Sequence, residues 1–310
     1  MQVFNSLSEL DGQGPTVLTQ GTFDGVHLGH QKILKKVCQV AGEMGMPSTL
    51  LTFYPHPRLV LNPDNNELRL LTTLDEKEKI LEDIGIDRLV VLPFTKEFSR
   101  IEPHAFVRDI LVDKLKMKHF IIGYDHRFGK NREGSIESLK LLTQAYNFTL
   151  EEIPALDVEE SIISSTKIRK HLLEGSVTEA SKLLGRTYSL TGTVVKGRKQ
   201  GRVLGYPTAN LLVKNQYKLI PANGVYAVKV TADDQVYYGM MNIGENPTFK
   251  DAHWSCEVHI FEFDRDIYGE EMIVRFEDRL RDEVKYERVE ELIEQLKRDE
   301  IHAKKVLGHT

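Results

Sequence analysis

The residues whose types and spacing suit chemistry are densest over positions 21–30, GTFDGVHLGH, where Gly21, Gly25 and Gly29 are interleaved with His27 and His30. Before this string, Thr16, Val17 and Leu18 read as a short buried strand; after it, Ile33, Leu34, Val37, Val40 and Ala41 recur at helical spacing. The string therefore lies where a strand hands over to a helix. Glycines let such a turn bend and let a ligand approach the backbone closely. His27 and His30, three apart at the helix start, put both rings on one side of its first turn. Free N–H groups and the positive dipole end favour anions there, so the chemistry indicated is recognition of a phosphate by backbone and imidazole donors. Either histidine alone is more simply a surface or packing residue, and no matching third and fourth ligand lies nearby for zinc.

Two further strings carry charge and hydroxyls. Over 162–172, IISSTKIRKHL, Ser164, Ser165 and Thr166 stand at a helix start followed by Lys167, Arg169 and Lys170. The hydroxyls cap the helix or bind phosphate, and the basic residues make the cluster an anion clamp. Over 197–210, GRKQGRVLGYPTAN, Gly197, Gly201 and Gly205 indicate a phosphate-covering loop or a set of barrel corners, with Arg198, Lys199 and Arg202 as counter-charges and Pro207 fixing the chain before Thr208 and Asn210. It is not a Walker A loop, because the GKS/T ending is missing.

The elements that must position these strings fall into two patterns. Strand-like runs at 16–22, 48–53, 88–92 and 119–123 alternate with helical patterns at 28–44, 73–84, 102–116 and 135–145. That order predicts a Rossmann-like parallel sheet covered on both faces, with ligands at the carboxyl ends of its strands. From residue 188 strands follow one another at 188–196, 225–232, 235–243, 256–264 and 271–278, with Asp233 and Asp234 as a hairpin turn. A terminal helix over 286–306 puts Val289, Leu292, Ile293 and Leu296 on one face and turns its charges to solvent. A small closed antiparallel barrel is expected. Glu174, Gly175 and Ser176 break a helix between the two patterns, placing the domains at 1–183 and 184–310.

Composition bounds the partners. The 310 residues contain 41% hydrophobic side chains, ample for two cores, and a net charge of −5 gives no electrostatic case for nucleic acid or membrane. Cys38 and Cys256, the two cysteines, lie far apart and read as buried thiols in a reducing compartment. No basic leader with an apolar core opens the chain and no run approaches the roughly 18 apolar residues of a span, so a cytoplasmic location is expected. Oligomeric state is left open.

Residues 21–30 resemble the HxGH signature of the nucleotidylyltransferases, and the longer form GxFDGxHxGH resembles its bacterial FAD synthetase branch. The resemblance implies that Gly21, Phe23, Asp24, Gly25, His27 and His30 face ATP. ISSTxIR resembles the second signature of the superfamily, which implies that Ser164, Thr166 and Arg169 hold ATP phosphates. FYPHPR at 53–58 and GYDHRFGKNREG at 123–134 are similar to the family's flavin-side loops and imply His56, Asp125 and Arg127 there. Tyr54 and His126 depart from that pattern, which carries an acidic residue and Phe at these positions. His56, between two prolines, serves a rigid turn or a substrate contact; Asp125 forms a turn or orients flavin or metal.

Residues 197–210 closely resemble the riboflavin kinase signature GRxLGxPTAN, and GVYAV from Gly224, NIGENPTF from Asn242 and CEVHIF from Cys256 follow in that family's order. This implies Gly197, Gly201, Arg202, Gly205, Pro207, Thr208 and Asn210 around the phosphates, Thr208 and Asn210 as magnesium ligands, and Glu257 as catalytic base. Without the resemblance, Glu257 in a strand alternating with His259 and Phe261 is an ordinary outward-facing residue. Together the strings imply riboflavin kinase joined to FMN adenylyltransferase, converting riboflavin to FMN and FMN to FAD with ATP and Mg2+. The rivals are the same scaffold with one live site, or a flavin carrier without catalysis.

Overall fold

The structure, a computed structural model, describes the chain except residues 64–66, 125–126, 155–162, 198–199, 245–254 and 310, and the side chains of Arg132 and Gln200. Two compact units, Met1–Ser164 and Ser165–Thr310, make up the chain.

The first unit is built from β1 (Gln2–Phe4), β2 (Thr16–Gln20), α1 (Leu28–Met44), β3 (Ser48–Tyr54), α2 (Leu74–Ile84), β4 (Arg88–Pro93), β5 (Met117–Gly123), α3 (Ile136–Tyr146) and β6 (Thr149–Ile153). Its six strands are parallel in the order β1-β4-β3-β2-β5-β6. Neighbouring residues Val17 and Leu18 of β2 enter different cores. Val17 packs with Ile33, Leu34 and Val37 of α1, and Leu18 with Phe106 and Phe120. Both faces are thus covered, which is why these strands read as apolar runs. Winding reverses between β2 and β5, the switch point at whose carboxyl ends α/β sheets bind ligands. The helices start where the sequence caps them: Thr73 and Glu76 form a reciprocal capping box on α2, and Ser135 and Ser138 form one on α3.

Three expectations are adjusted here. The edge strands β1 and β6 carry no apolar run, the first being only three residues long and the second TLEEI, so periodicity missed them. The helical pattern expected over 102–116 is a short turn, Pro103–Ala105, running into a π-helix, Phe106–Lys114, which buries Phe106, Val107, Ile110 and Leu111. Strand β2 ends at Gln20, two residues early, where the chain turns at Gly21.

The second unit opens with α4 (Ser165–Leu173) and α5 (Val177–Leu184), then β7 (Ser189–Val195), β8 (Ala209–Leu212), β9 (Gly224–Ala232), β10 (Gln235–Gly244), β11 (Ser255–Ile260), β12 (Glu271–Arg281) and α6 (Val289–Leu307). The strands close into a barrel in the order β10-β11-β8-β7-β12-β9, each pair antiparallel. Asp233 and Asp234 form the β9–β10 turn with φ of 50° and 56°, the left-handed pair a two-residue type I′ hairpin demands. Strand β8, four residues long and starting at Ala209 near the end of the 197–210 string, was not anticipated. The helices α4 and α5 pack within this unit: Ala222 N–H donates to the Leu172 carbonyl at 3.0 Å and the Thr178 hydroxyl donates to Asp278 at 3.1 Å.

Helix α6 lies on the barrel through Leu296, Ala303, Val306 and Leu307, which pack with Ala227, Met240 and Phe261. Two expectations fail on it. Val289, at its first residue, is exposed, and the charges do not all face solvent. Asp299 is buried and accepts from Arg281 Nε at 2.9 Å and Nη2 at 2.7 Å, with Gln295 as a third donor. An inward carboxylate is tolerated because the guanidinium meets it in two-pronged geometry.

Candidate active sites

At the end of β2 the chain makes a strained turn before entering α1. Phe23 and Val26, neither a glycine, have φ of 44° and 37°, a conformation that persists only when its surroundings over-determine it. Those surroundings are specific. The buried Asp24 carboxylate accepts the backbone N–H of Leu71 at 3.0 Å and of Thr72 at 3.2 Å, and Gly25 N–H donates to the Thr72 hydroxyl at 3.1 Å. The Lys77 ammonium donates to the Thr22 carbonyl at 2.6 Å. Burial pushes the Lys77 pKa below the usual lysine range, and the charge of Asp24 opposes that fall. The Asp24 carboxylate thus helps to hold the turn, and Gly21 N–H donates to the Leu51 carbonyl at 3.0 Å.

The turn delivers both histidines to the α1 N-terminus. His27 is the N-cap, 3% exposed, and its Nδ1 accepts the His30 N–H at 3.3 Å. A neutral His27 consequently carries its proton on Nε2, as a donor. The His27 and His30 rings stack at 3.6 Å with 16° between planes, and Phe23 lies 4.8 Å from His30. The predicted pair forms one stacked unit at the N-terminus of α1.

The other residues predicted for this chemistry are placed less decisively. Ser164 is exposed and ends the first unit; Thr166 and Arg169, three apart on α4, belong to the second. His56 caps the short helix Pro57–Leu61, its Nδ1 accepting the Arg58 N–H at 3.2 Å. Tyr54 ends β3 and is exposed, as is Arg127; Asp125 and His126 lie outside the described residues.

In the barrel, register makes the site. Glu257 on β11 is directly opposite Asn210 on β8 and Asn242 on β10. Facing residues in antiparallel strands share a side of the sheet, with Cβ atoms about 5 Å apart. Thr208 donates its hydroxyl to Glu257 Oε2 at 3.2 Å, and Asn210 is 6% exposed. Two of the three glycines of 197–210, Gly197 and Gly201, have no room for a side chain. A Cβ on Gly197 would lie 2.2 Å from Asn210 Nδ2, and one on Gly201 2.2 Å from the Tyr206 carbonyl oxygen. Gly205, with φ of 82°, turns the chain toward Pro207, whose carbonyl accepts from His259. Arg202 is exposed in the turn Gln200–Val203, and Arg198 and Lys199 lie outside the described residues.

Neither cysteine belongs to this chemistry. Both are free, and burial, with Glu257 adding its charge, pushes the Cys256 thiol up to about 12. Burial also raises Cys38. Among the described residues no group of three or more His, Cys, Asp or Glu is arranged to hold a metal ion. Thr208, Asn210 and Glu257 offer hard oxygens, a set that suits magnesium shared with phosphate oxygens and water.

Sequence reasoning missed Lys77, Thr72 and Asn242. Lys77 had a usable signal, since Leu74, Lys77 and Leu81 share the inner stripe of α2. Asn242 opens the NIGENPTF string, but its place beside Glu257 depends on strand pairing.

The FAD synthetase family model matches residues 10–167, and the riboflavin kinase model matches residues 184–307. The bifunctional riboflavin kinase/FMN adenylyltransferase of Listeria monocytogenes is 42% identical over 285 residues, covering 92% of this chain and 90% of that protein. This chain belongs to the bifunctional riboflavin kinase/FMN adenylyltransferase family. The Bacillus subtilis member is 36% identical over 295 residues, 94% of this chain and 92% of its own. A crystal structure described as a macrolide-efflux protein from Streptococcus pneumoniae is 33% identical, with a TM-score of 0.88 over 97% of this chain and 98% of that one. Among the described residues of this family member, no helix is long and apolar enough to cross a membrane.

Proposed function

We propose that the barrel phosphorylates riboflavin to FMN and that the parallel-sheet unit joins FMN to the adenylyl group of ATP, giving FAD and pyrophosphate. The observation that carries this reading is that both signature strings fold into assembled groups: His27 stacked on His30 at a helix N-terminus, and Thr208 bonded to Glu257 beside Asn210. We assign residues 1–183 to the adenylyltransferase and 184–310 to the kinase, in the cytoplasm.

In the kinase step Glu257 takes the proton of the terminal ribityl hydroxyl as that oxygen attacks the γ-phosphorus and ADP leaves. Thr208 and Asn210 would hold magnesium against the ATP phosphates, where it neutralises charge. The loop residues Gly197, Gly201 and Arg202 cover those phosphates. In the adenylyl step an FMN phosphate oxygen attacks the α-phosphorus of ATP and pyrophosphate departs. The nucleophile is already ionised, so no base is needed, and the work is positioning and neutralisation. His27 Nε2–H, His30 and the N-terminus of α1 donate to the phosphates, with Ser164, Thr166 and Arg169 as further ligands. Asp24 and Lys77 hold the turn that aims these donors.

The test is to mix the pure protein with riboflavin, ATP and a magnesium salt and to separate flavins and nucleotides by chromatography. FMN with ADP should appear first, and FAD with pyrophosphate later. Formation of neither flavin product overturns the reading in favour of a flavin carrier, and arrest at FMN leaves one live site.

A further inference from the structure

His259 follows Glu257 by two residues on β11 and so stands on the same face. Its Nδ1 lies 2.8 Å from the carbonyl oxygen of Pro207, an atom that only accepts, so Nδ1 carries the proton and donates. Pro207 immediately precedes Thr208, the partner of Glu257. Strand β8 begins one residue later, at Ala209, so Pro207 and Thr208 precede the ladder that fixes Asn210. Pro207 has no N–H of its own, which leaves its carbonyl as the backbone handle.

The imidazole is itself held. Tyr206 meets it edge-on at 5.0 Å and 68°, and Phe261 does so at 5.7 Å and 65°. The Tyr206 hydroxyl donates to Glu300 Oε2 on α6 at 3.1 Å, and Lys304 stands 2.8 Å from Glu300 Oε1. Burial and the bond to Glu300 push Tyr206 up to about 12, so it keeps its proton. Burial raises Glu300, but the bonds from Lys304 and Tyr206 outweigh it and hold that carboxyl below its usual range. None of these groups has a role in the chemistry above, yet they converge on the two residues before Thr208.

We infer that His259, braced by Tyr206 and Glu300, is a positioning residue for phosphoryl transfer: its Nδ1–H clamps the Pro207 carbonyl and thereby sets Thr208 against Glu257. The inference rests on the assignment of Thr208 and Glu257 to the kinase site. Its consequence is a kinase whose turnover depends on a hydrogen bond that touches neither substrate nor metal.

The experiment measures kcat and KM for riboflavin phosphorylation in the full-length chain carrying His259→Leu, His259→Asn, Tyr206→Phe or Glu257→Gln, with FMN adenylylation assayed on the same preparations. His259→Leu should lower kinase kcat about 10- to 100-fold, the effect of a misplaced group, with KM for riboflavin and ATP little changed. His259→Asn keeps an N–H donor in reach of the Pro207 oxygen and should recover kcat to within a few-fold of the parent. Equal loss in the Leu and Asn variants, or a parental kcat in His259→Leu, overturns the clamp. If His259→Leu no longer unfolds cooperatively, Tyr206→Phe decides: a lowered kcat at unchanged KM supports the clamp and a parental kcat overturns it. A parental kinase rate in Glu257→Gln would instead overturn the site assignment beneath it.

Discussion

The two sites of this chain are built in opposite ways. In the parallel-sheet unit the reactive groups lie within one turn, His27 and His30 three residues apart, and the fold's task is to hold that turn in a strained shape through Asp24 and Lys77. In the barrel, Thr208 and Glu257 are 49 residues apart and meet only because β8, β11 and β10 pair in one register. A loop site is pre-formed by local strain and its anchors. A register site is as rigid as the sheet that carries it, and its weak points are the segments that precede the ladder.

The largest effect expected from this contrast is at Glu257. Glu257→Gln keeps the size and the register but removes the base, and should cost the kinase roughly 10²- to 10⁴-fold while FMN adenylylation persists. Steady-state assays of both reactions on one preparation check this; a kinase that kept most of its rate would return Glu257 to an ordinary strand residue. Next comes the turn. His27→Ala or His30→Ala removes a donor to developing charge and should lower FAD formation from FMN by about 10²- to 10³-fold, with riboflavin phosphorylation near normal. Equal loss of both activities in a folded variant would break the comparison.

A smaller effect concerns where the barrel's unit begins. A fragment of residues 184–310 should phosphorylate riboflavin, but one of residues 165–310 should unfold at a higher temperature, because Ile168, Leu172, Val177, Ala180 and Leu184 are buried within that unit. Calorimetry on both fragments decides, and coincident transitions would mean that α4 and α5 add nothing to the barrel. The smallest effect is electrostatic. Glu300 has a folded pKa below its ordinary 4.5, so its stabilising contribution is present above that value and is lost as pH falls through the folded pKa. Glu300→Gln should therefore lose less stability than the parent on acidification below about 4.5, measured by denaturant titration at stepped pH. An identical acid profile in the two proteins would show that Glu300 contributes none of it.

The same contrast explains what could be read from sequence. The α1 entry, the alternating order of the first unit and the Asp233–Asp234 hairpin are local, and residue type with period identifies them. The barrel site was readable only through its likeness to a known signature, since alternation assigns Glu257 to an outward face and says nothing of Asn242 across the strand pair. Long-range ties were not readable at all. The bonds from Asp24 to Leu71 and Thr72, and from His259 to Pro207, join segments 47 or more positions apart. Asp299 misled for a related reason: on a helix rich in charge, only the opposing Arg281 makes an inward carboxylate tolerable.

The central claim is that two separate sites act in turn on the flavin. Complementation tests it most directly. Glu257→Gln and His27→Ala are each given riboflavin, ATP and magnesium, alone and mixed, and FAD is measured by chromatography. Glu257→Gln alone should leave riboflavin unchanged and His27→Ala alone should stop at FMN, while the mixture should make FAD, because FMN released by one chain is adenylylated by the other. A mixture that makes no FAD, although each variant keeps its remaining activity, would contradict the account, as would FAD from either variant alone.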